Sequence, residues 1–136
     1  MSIDMEKTLY ERYPLIFAQL ASTSAGIECG EGWFHLLDVL CERLQFAVEH
    51  WGAPQVVATQ VKSKFGVLRF YSEGGDDRTE GMIRMAEALS GRICIWCGGP
   101  GKARKASARG REFVATFCDD HVTTHGRMAS LSGQGK

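Results

Sequence analysis

Two short pairs of residues hold most of the chemistry available to this chain. Cys94-Ile95-Trp96-Cys97 places two thiols with two residues between them, and Gly98-Gly99 follow. Cys118-Asp119-Asp120-His121 supplies a third thiol and an imidazole at the same internal spacing, after twenty intervening residues. A tight backbone knuckle turns two such thiolates towards one ion, and the glycines tolerate the backbone angles that the knuckle needs. Three thiolates and one imidazole form a closed tetrahedral donor set of the structural zinc type, whereas magnesium and calcium select oxygen ligands. Cys94, Cys97, Cys118 and His121 are therefore the candidate ligands of one Zn2+. His125, four residues after His121, is an alternative to His121 as the fourth ligand. The filled site would carry a formal charge of −1, and Lys102, Arg104 and Lys105 stand near enough in sequence to offset it.

A redox role for Cys94 and Cys97 would require the motif at a helix start in a β-α-β setting, which this sequence lacks. Cys41 lies beside an apolar helical stripe and reads as core; Cys29 sits in a glycine-rich loop with no evident partner. Five cysteines, an odd number, argue against a fully paired secreted framework. No other catalytic set emerges. Gly98-Gly99-Pro100-Gly101-Lys102 lacks the spacing and the following hydroxyl of a phosphate-binding loop. Glu28, Glu31 and Asp38 show no metal pattern.

The elements that must position the cysteines follow from periodicity. Residues 4–20 read as helix with a break at Pro14, and residues 22–32 as a loop. Residues 32–51 form the clearest helix: Trp33, Leu37, Leu40, Leu44, Ala47 or Val48, and Trp51 recur at three- and four-residue steps. Phe34, Leu36 and Phe46 widen that stripe, and Gly52 and Pro54 end it. Residues 55–71 read as a β-hairpin turning at Lys62-Ser63-Lys64-Phe65-Gly66, with Leu68 and Phe70 on one face and Val67, Arg69 and Tyr71 on the other. Lys62, Lys64 and Arg69 beside Phe65 and Tyr71 suit single-stranded nucleic acid or a half-exposed sheet. Residues 77–90 read as a helix capped by Asp77 with Glu80. Its stripe is Met82, Ile83, Ala86 and Leu89, with Met82 and Met85 as adaptable core. Residues 111–117 read as a strand that delivers Cys118 to the first turn of a helix.

This order of knuckle, hairpin and helix resembles a treble-clef zinc finger over residues 92–128. His-Asn-His nucleases share that fold but need histidines on the hairpin, and none lies between Cys97 and Cys118. Three blocks together carry a wider resemblance: Gly32-Trp33-Phe34 with Leu36-Leu37-Asp38 and Leu40-Cys41; Val61-Lys62 with Lys64-Phe65-Gly66 and Leu68-Arg69-Phe70-Tyr71; and the two metal-ligand pairs. They resemble a group of short uncharacterised proteins of bacteriophages, prophages and bacterial genomes, over residues 30–122. The resemblance carries over no functional residues. It implies a setting in which small proteins bind host machinery, including defence systems such as CRISPR.

The composition is that of a soluble globular protein, 44% hydrophobic and 24% charged in 136 residues with zero formal net charge. The charge is segregated. Residues 1–60 hold three bases and eight acids, and residues 92–136 hold eight bases and three acids. The expected fold is α+β: helices on a β-hairpin or small antiparallel sheet over residues 1–91, a treble-clef-like zinc-binding subdomain over 92–128, and a flexible tail over 129–136. The expected function is a non-enzymatic, cytoplasmic, zinc-stabilised regulator or inhibitor that binds a protein partner, without a membrane segment. The alternative is a nucleic-acid-binding module using a basic loop over residues 102–111, with Lys102, Arg104, Lys105, Arg109 and Arg111. A metal-dependent nuclease or hydrolase is the least favoured reading, because four protein ligands leave no open metal position.

Overall fold

The computed structural model of the chain describes residues 1–108 and 110–121. It is an α+β fold in the order α1 (Ile3–Arg12), β1 (Ile27–Glu28), α2 (Phe34–His50), β2 (Val57–Lys64), β3 (Val67–Glu73), α3 (Asp77–Ser90), β4 (Lys102–Ala108) and β5 (Arg111–Phe117). One sheet has the order β1-β2-β3, and β4 pairs with β5 in a second.

α1 starts where the Ser2 hydroxyl accepts the Met5 amide at 3.2 Å, with Asp4 and Glu6 in the first turn, and stops before Pro14. The residues after Pro14 do not resume a long helix; a short 3-10 turn covers Leu20–Ser22. The segment 22–32, expected as a loop, contains β1. Ile27 and Glu28 pair in parallel with Val61 and Lys62, and the Glu6 carboxylate accepts the Ile27 amide at 2.7 Å. A strand of two residues has no periodicity to detect.

α2 buries Leu37, Leu40, Cys41, Leu44 and Ala47, and Trp33 just before it is fully buried. The expected stripe ends at Ala47. Trp51 is 43% exposed, with the Arg78 guanidinium 5.0 Å above its ring. Gly52 adopts φ +74, the left-handed conformation that terminates the helix.

The β2–β3 hairpin sends Ala58, Val61, Leu68 and Phe70 into the core. The turn is shorter than the segment 62–66 expected for it, because Lys62, Ser63 and Lys64 pair with Arg69, Leu68 and Val67 and extend β2; the two-residue turn that remains, Phe65-Gly66, has φ +54 and +86. Positive φ at both positions matches the right-handed twist of the strands, and such turns favour Asn-Gly. A phenylalanine there is strained, and its ring is 75% exposed.

α3 covers the outer edge of β3. The Leu68 amide donates to the Ser90 hydroxyl at 2.8 Å, and the Phe70 amide to the Glu87 carboxylate at 3.0 Å. Two side chains thus take the place of a fourth strand. The N-cap is Asp76, one residue before the expected Asp77. Its carboxylate accepts the Thr79 amide, and the Thr79 hydroxyl accepts the Asp76 amide. Glu80 pairs with Arg84 instead, at 2.8 Å. Thr79 wins the reciprocal role because it stands three residues after the true cap. Ile83 and Ala86 are core, but Leu89 and Met85 are 46% and 69% exposed, so Met85 is not the core residue expected.

Two substitutions test these edges. Ser90→Ala leaves the buried Leu68 amide without an acceptor and should cost about 1–3 kcal/mol in urea denaturation. Phe65→Asn should stabilise by about 1 kcal/mol by relieving the strained turn; a loss of stability would show that the ring contributes packing that outweighs the strain.

Candidate metal centre

The chain leaves α3 through Gly91 and immediately forms the knuckle. Gly98 at φ +83 lets its amide donate back to the Cys94 carbonyl at 2.9 Å, and the Cys94 amide donates to Gly99 at 2.7 Å. Ile93 and Pro100 form a β-bridge, and the Gly101 amide closes the loop on Arg92 at 2.9 Å. β4 and β5 follow as an antiparallel hairpin, in register from Lys102 opposite Phe117 to Ala108 opposite Arg111. β5 ends at Phe117, and Asp119–His121 turn helically. The second pair of ligands is therefore carried back over the knuckle.

The result is the cluster expected from the sequence. The sulfurs of Cys94, Cys97 and Cys118 and a ring nitrogen of His121 all lie within 4.8 Å of one another, close enough to hold one metal ion. The Cys97 and Cys118 sulfurs are 3.8 Å apart. His121 presents Nδ1 at 3.1 Å from the Cys118 sulfur and 3.8 Å from that of Cys94. Cys94 is buried, Cys97 exposed, and Cys118 and His121 half-buried. Burial pushes the Cys94 thiol up, but bonds from the backbone at Cys118, Cys97 and Trp96 leave it below the ordinary thiol value. At Cys118 burial, helped by the neighbouring Cys94 and Cys97 sulfurs, raises the thiol despite a backbone bond from His121. Three sulfurs and a ring nitrogen at this spacing are a donor set that can hold a cation.

The knuckle is seated on Gly30, Gly32 and Trp33, at the junction of the segment expected as a loop and the helix expected from residue 32. The Gly32 amide donates to the Ile95 carbonyl at 2.9 Å, and the Trp33 indole N–H to the Ile93 carbonyl at 2.9 Å. A Cβ at Gly32 would lie 2.2 Å from the Cys94 carbonyl oxygen, and one at Gly30 would lie 2.2 Å from that of Ile95. On the other side, the Ile95 amide donates to Thr116 at 2.8 Å, and the buried Thr116 hydroxyl donates to the Gly66 carbonyl in the first hairpin. Gly30-Glu31-Gly32 was the available signal: two glycines just before a strong helix mark a close backbone approach.

The other cysteines stay apart. Burial pushes Cys29 up to about 12, and raises Cys41 further with help from Asp38. Both are buried, unreactive thiols.

The basic residues are arranged differently from expectation. Residues 102–108 are a strand, not part of a loop, because seven register pairs with β5 satisfy its backbone. Strand alternation puts Lys102, Arg104 and Arg111 on one face and Lys105 on the other. They do not form one patch. Arg104 is largely covered and ion-paired to Asp119, and that contact lowers the Asp119 carboxyl below its usual range. Arg104 therefore neutralises the carboxylate next to Cys118. Arg109 and His125 lie outside the described residues, as do the expected end of the subdomain and the 129–136 tail. Among the described residues, no helix is long and apolar enough to cross a membrane.

No family model matches the chain, and no curated protein or solved structure matches it.

Gly32→Ala should disrupt the centre although residue 32 ligates nothing. The new methyl group meets backbone on both sides of the knuckle, so a loss of about 1–3 kcal/mol and weaker metal retention are expected. Unchanged metal content and stability by mass spectrometry and thermal melting would contradict this placement.

Proposed function

We propose that the chain is a non-enzymatic, zinc-stabilised binding protein that acts on a macromolecular partner. The observation that carries this reading is the four-ligand cluster. A tetrahedron with zinc–sulfur bonds of about 2.3 Å has sulfur–sulfur edges of about 3.8 Å, and the Cys97–Cys118 separation is 3.8 Å. Three sulfurs and one nitrogen fill four positions, so the ion would have none open for a substrate or a water nucleophile. Its contribution is to folding: it joins the knuckle to the end of β5 and holds a treble-clef-like arrangement of knuckle, hairpin and helical turn. Activity then resides in the surfaces that this scaffold presents.

The resemblance of the three sequence blocks to phage and prophage proteins supports a cytoplasmic regulator or inhibitor of bacterial machinery, with a defence system such as CRISPR among the candidate targets. A protein is the favoured partner. A nucleic-acid partner draws on the exposed Lys102, Lys105 and Arg111, but strand alternation divides these bases between two faces of a hairpin, which weakens a single phosphate-tracking groove.

The reading predicts one zinc per purified chain by elemental analysis. Cobalt substitution should give a tetrahedral visible spectrum with thiolate charge transfer, lost in Cys97→Ser. Affinity purification from a bacterial lysate should enrich a defined protein with the wild type and not with Cys94→Ser. Zinc bound with no enriched protein would reject the binding role, and cleavage of nucleic acid dependent on added metal would replace it with an enzyme.

A further inference from the structure

We propose that the groove between the β2–β3 turn and β5 docks an extended, acidic segment of a partner protein, which adds to the open edge of β5 and seats an apolar side chain between exposed aromatic rings. This rests on the binding-protein reading above and names the surface and the chemistry of the partner.

The groove has a volume of about 600 Å³, with Ile95, Val114 and Phe117 in its lining. Three aromatic rings in the same lining reach solvent: Phe65 is 75% exposed, Trp96 54% and Phe113 42%. Monomeric proteins seldom concentrate that much exposed ring surface in one concavity without using it. Phe65 adds a second argument. Its backbone sits at φ +54, where asparagine or glycine would be relaxed, and the ring gains little burial in return. Strain retained at an exposed ring points to a use for that ring.

The backbone selects the class of partner. β5 pairs with β4 on one side, and the second sheet has these two strands alone among the described residues. The Thr116 carbonyl is turned to the other side, where it accepts the Ile95 amide. Backbone groups alternate in direction along a strand, so those of Val114 and Glu112 point the same way as Thr116, towards the groove. Among the described residues no further strand pairs with that edge, and a strand edge of this kind beside side-chain pockets is the arrangement that recognises an extended peptide. Nucleic acid could stack on the rings, but it has no alternating amide donors and carbonyls to match that edge.

Charge selects the character of the segment. Lys62 and Lys64 line the groove against one carboxylate, Glu112. Lys64 stands 5.6 Å above the Phe65 ring, and Lys105 is exposed opposite Val114 in the register. An incoming strand with acidic residues beside its apolar anchor would neutralise these ammonium groups, whereas a basic one would be repelled.

The test uses the zinc-loaded full chain and a short fluorescein-labelled peptide that alternates glutamate with valine or phenylalanine. Its anisotropy should rise on titration with protein. Binding should weaken by about tenfold or more with Phe65→Asn, Phe113→Ser or Lys62→Glu. These positions are exposed or half-buried, so the variants should stay folded; retained zinc and melting temperature check this. N-methylation of alternate peptide amides should abolish binding, because it removes the ladder while keeping the side chains. Four results would overturn the proposal: no anisotropy change up to the solubility limit of the protein, equal binding of the lysine-for-glutamate peptide, tighter binding of an oligothymidylate, or self-association of the protein that blocks the groove in sedimentation. Failure here is distinguishable from failure of the broader reading. A lysate protein enriched equally by wild type and by Phe113→Ser would keep the binding function and move it to another surface.

Discussion

The segment Ile93–Ile95 is the point on which the rest of the molecule is hung. Its hydrogen bonds engage two distant parts of the chain, the start of α2 and the end of β5. The Ile93 carbonyl accepts the Trp33 indole, the Ile95 carbonyl accepts the Gly32 amide, and the Ile95 amide donates to Thr116. Between them, the Cys94 side chain is fully buried and faces the other metal-ligand atoms. The helical core and the β4–β5 hairpin are thus joined by backbone hydrogen bonds through the knuckle itself. Each bond is individually modest, but Trp33 and Thr116 are fully buried, so loss of a bond that they make leaves a buried polar group unpaired. The packing also requires that residues 30 and 32 have no side chain. The start of α2 and the metal centre are in this sense one structure.

A second constraint concerns strand edges. Two short sheets in a small protein expose several edges, and each is handled differently. β3 is closed by Ser90 and Glu87 from α3. β2 is partly closed by two residues of β1 in parallel. β5 is closed at Thr116 by Ile95. The first two are covered by side chains or strands that belong to the core, whereas the part of β5 before Thr116, at Glu112 and Val114, lies along a groove ringed by aromatics.

The electrostatics follow the same division of labour. The formal charges of the two ends of the sequence are opposite, yet the basic end does not behave as a uniform patch. Arg104 is tied to Asp119 beside the metal ligands, and Arg69 approaches Glu87 at 4.0 Å on the other sheet. Residues counted together in sequence are thus assigned separately to structure and to surface. The cations left at the groove, Lys62 and Lys64, come from the first hairpin.

Much of the fold was legible without coordinates. Long-range helical periodicity identified α2, β-branched alternation identified β2 and β3, and the paired Cys-x-x-Cys and Cys-x-x-His spacings identified the cluster, because each is a repeated local pattern. The misses were of another kind. β1 is too short to show a period, the cap of α3 is Asp76 so that Thr79 rather than Glu80 closes the box, and Trp51 lies outside the core, beside Arg78 of a helix distant in sequence. The sequence alone determined α2, α3, the first hairpin, β5 and the four residues of the candidate metal cluster, since each depends on neighbours along the chain. Tertiary structure decided why Gly30 and Gly32 are glycines, which bases are neutralised, and that a turn, a knuckle and a strand edge meet at one groove. Those facts depend on contacts between residues tens of positions apart, and no local pattern encodes which distant backbone will approach.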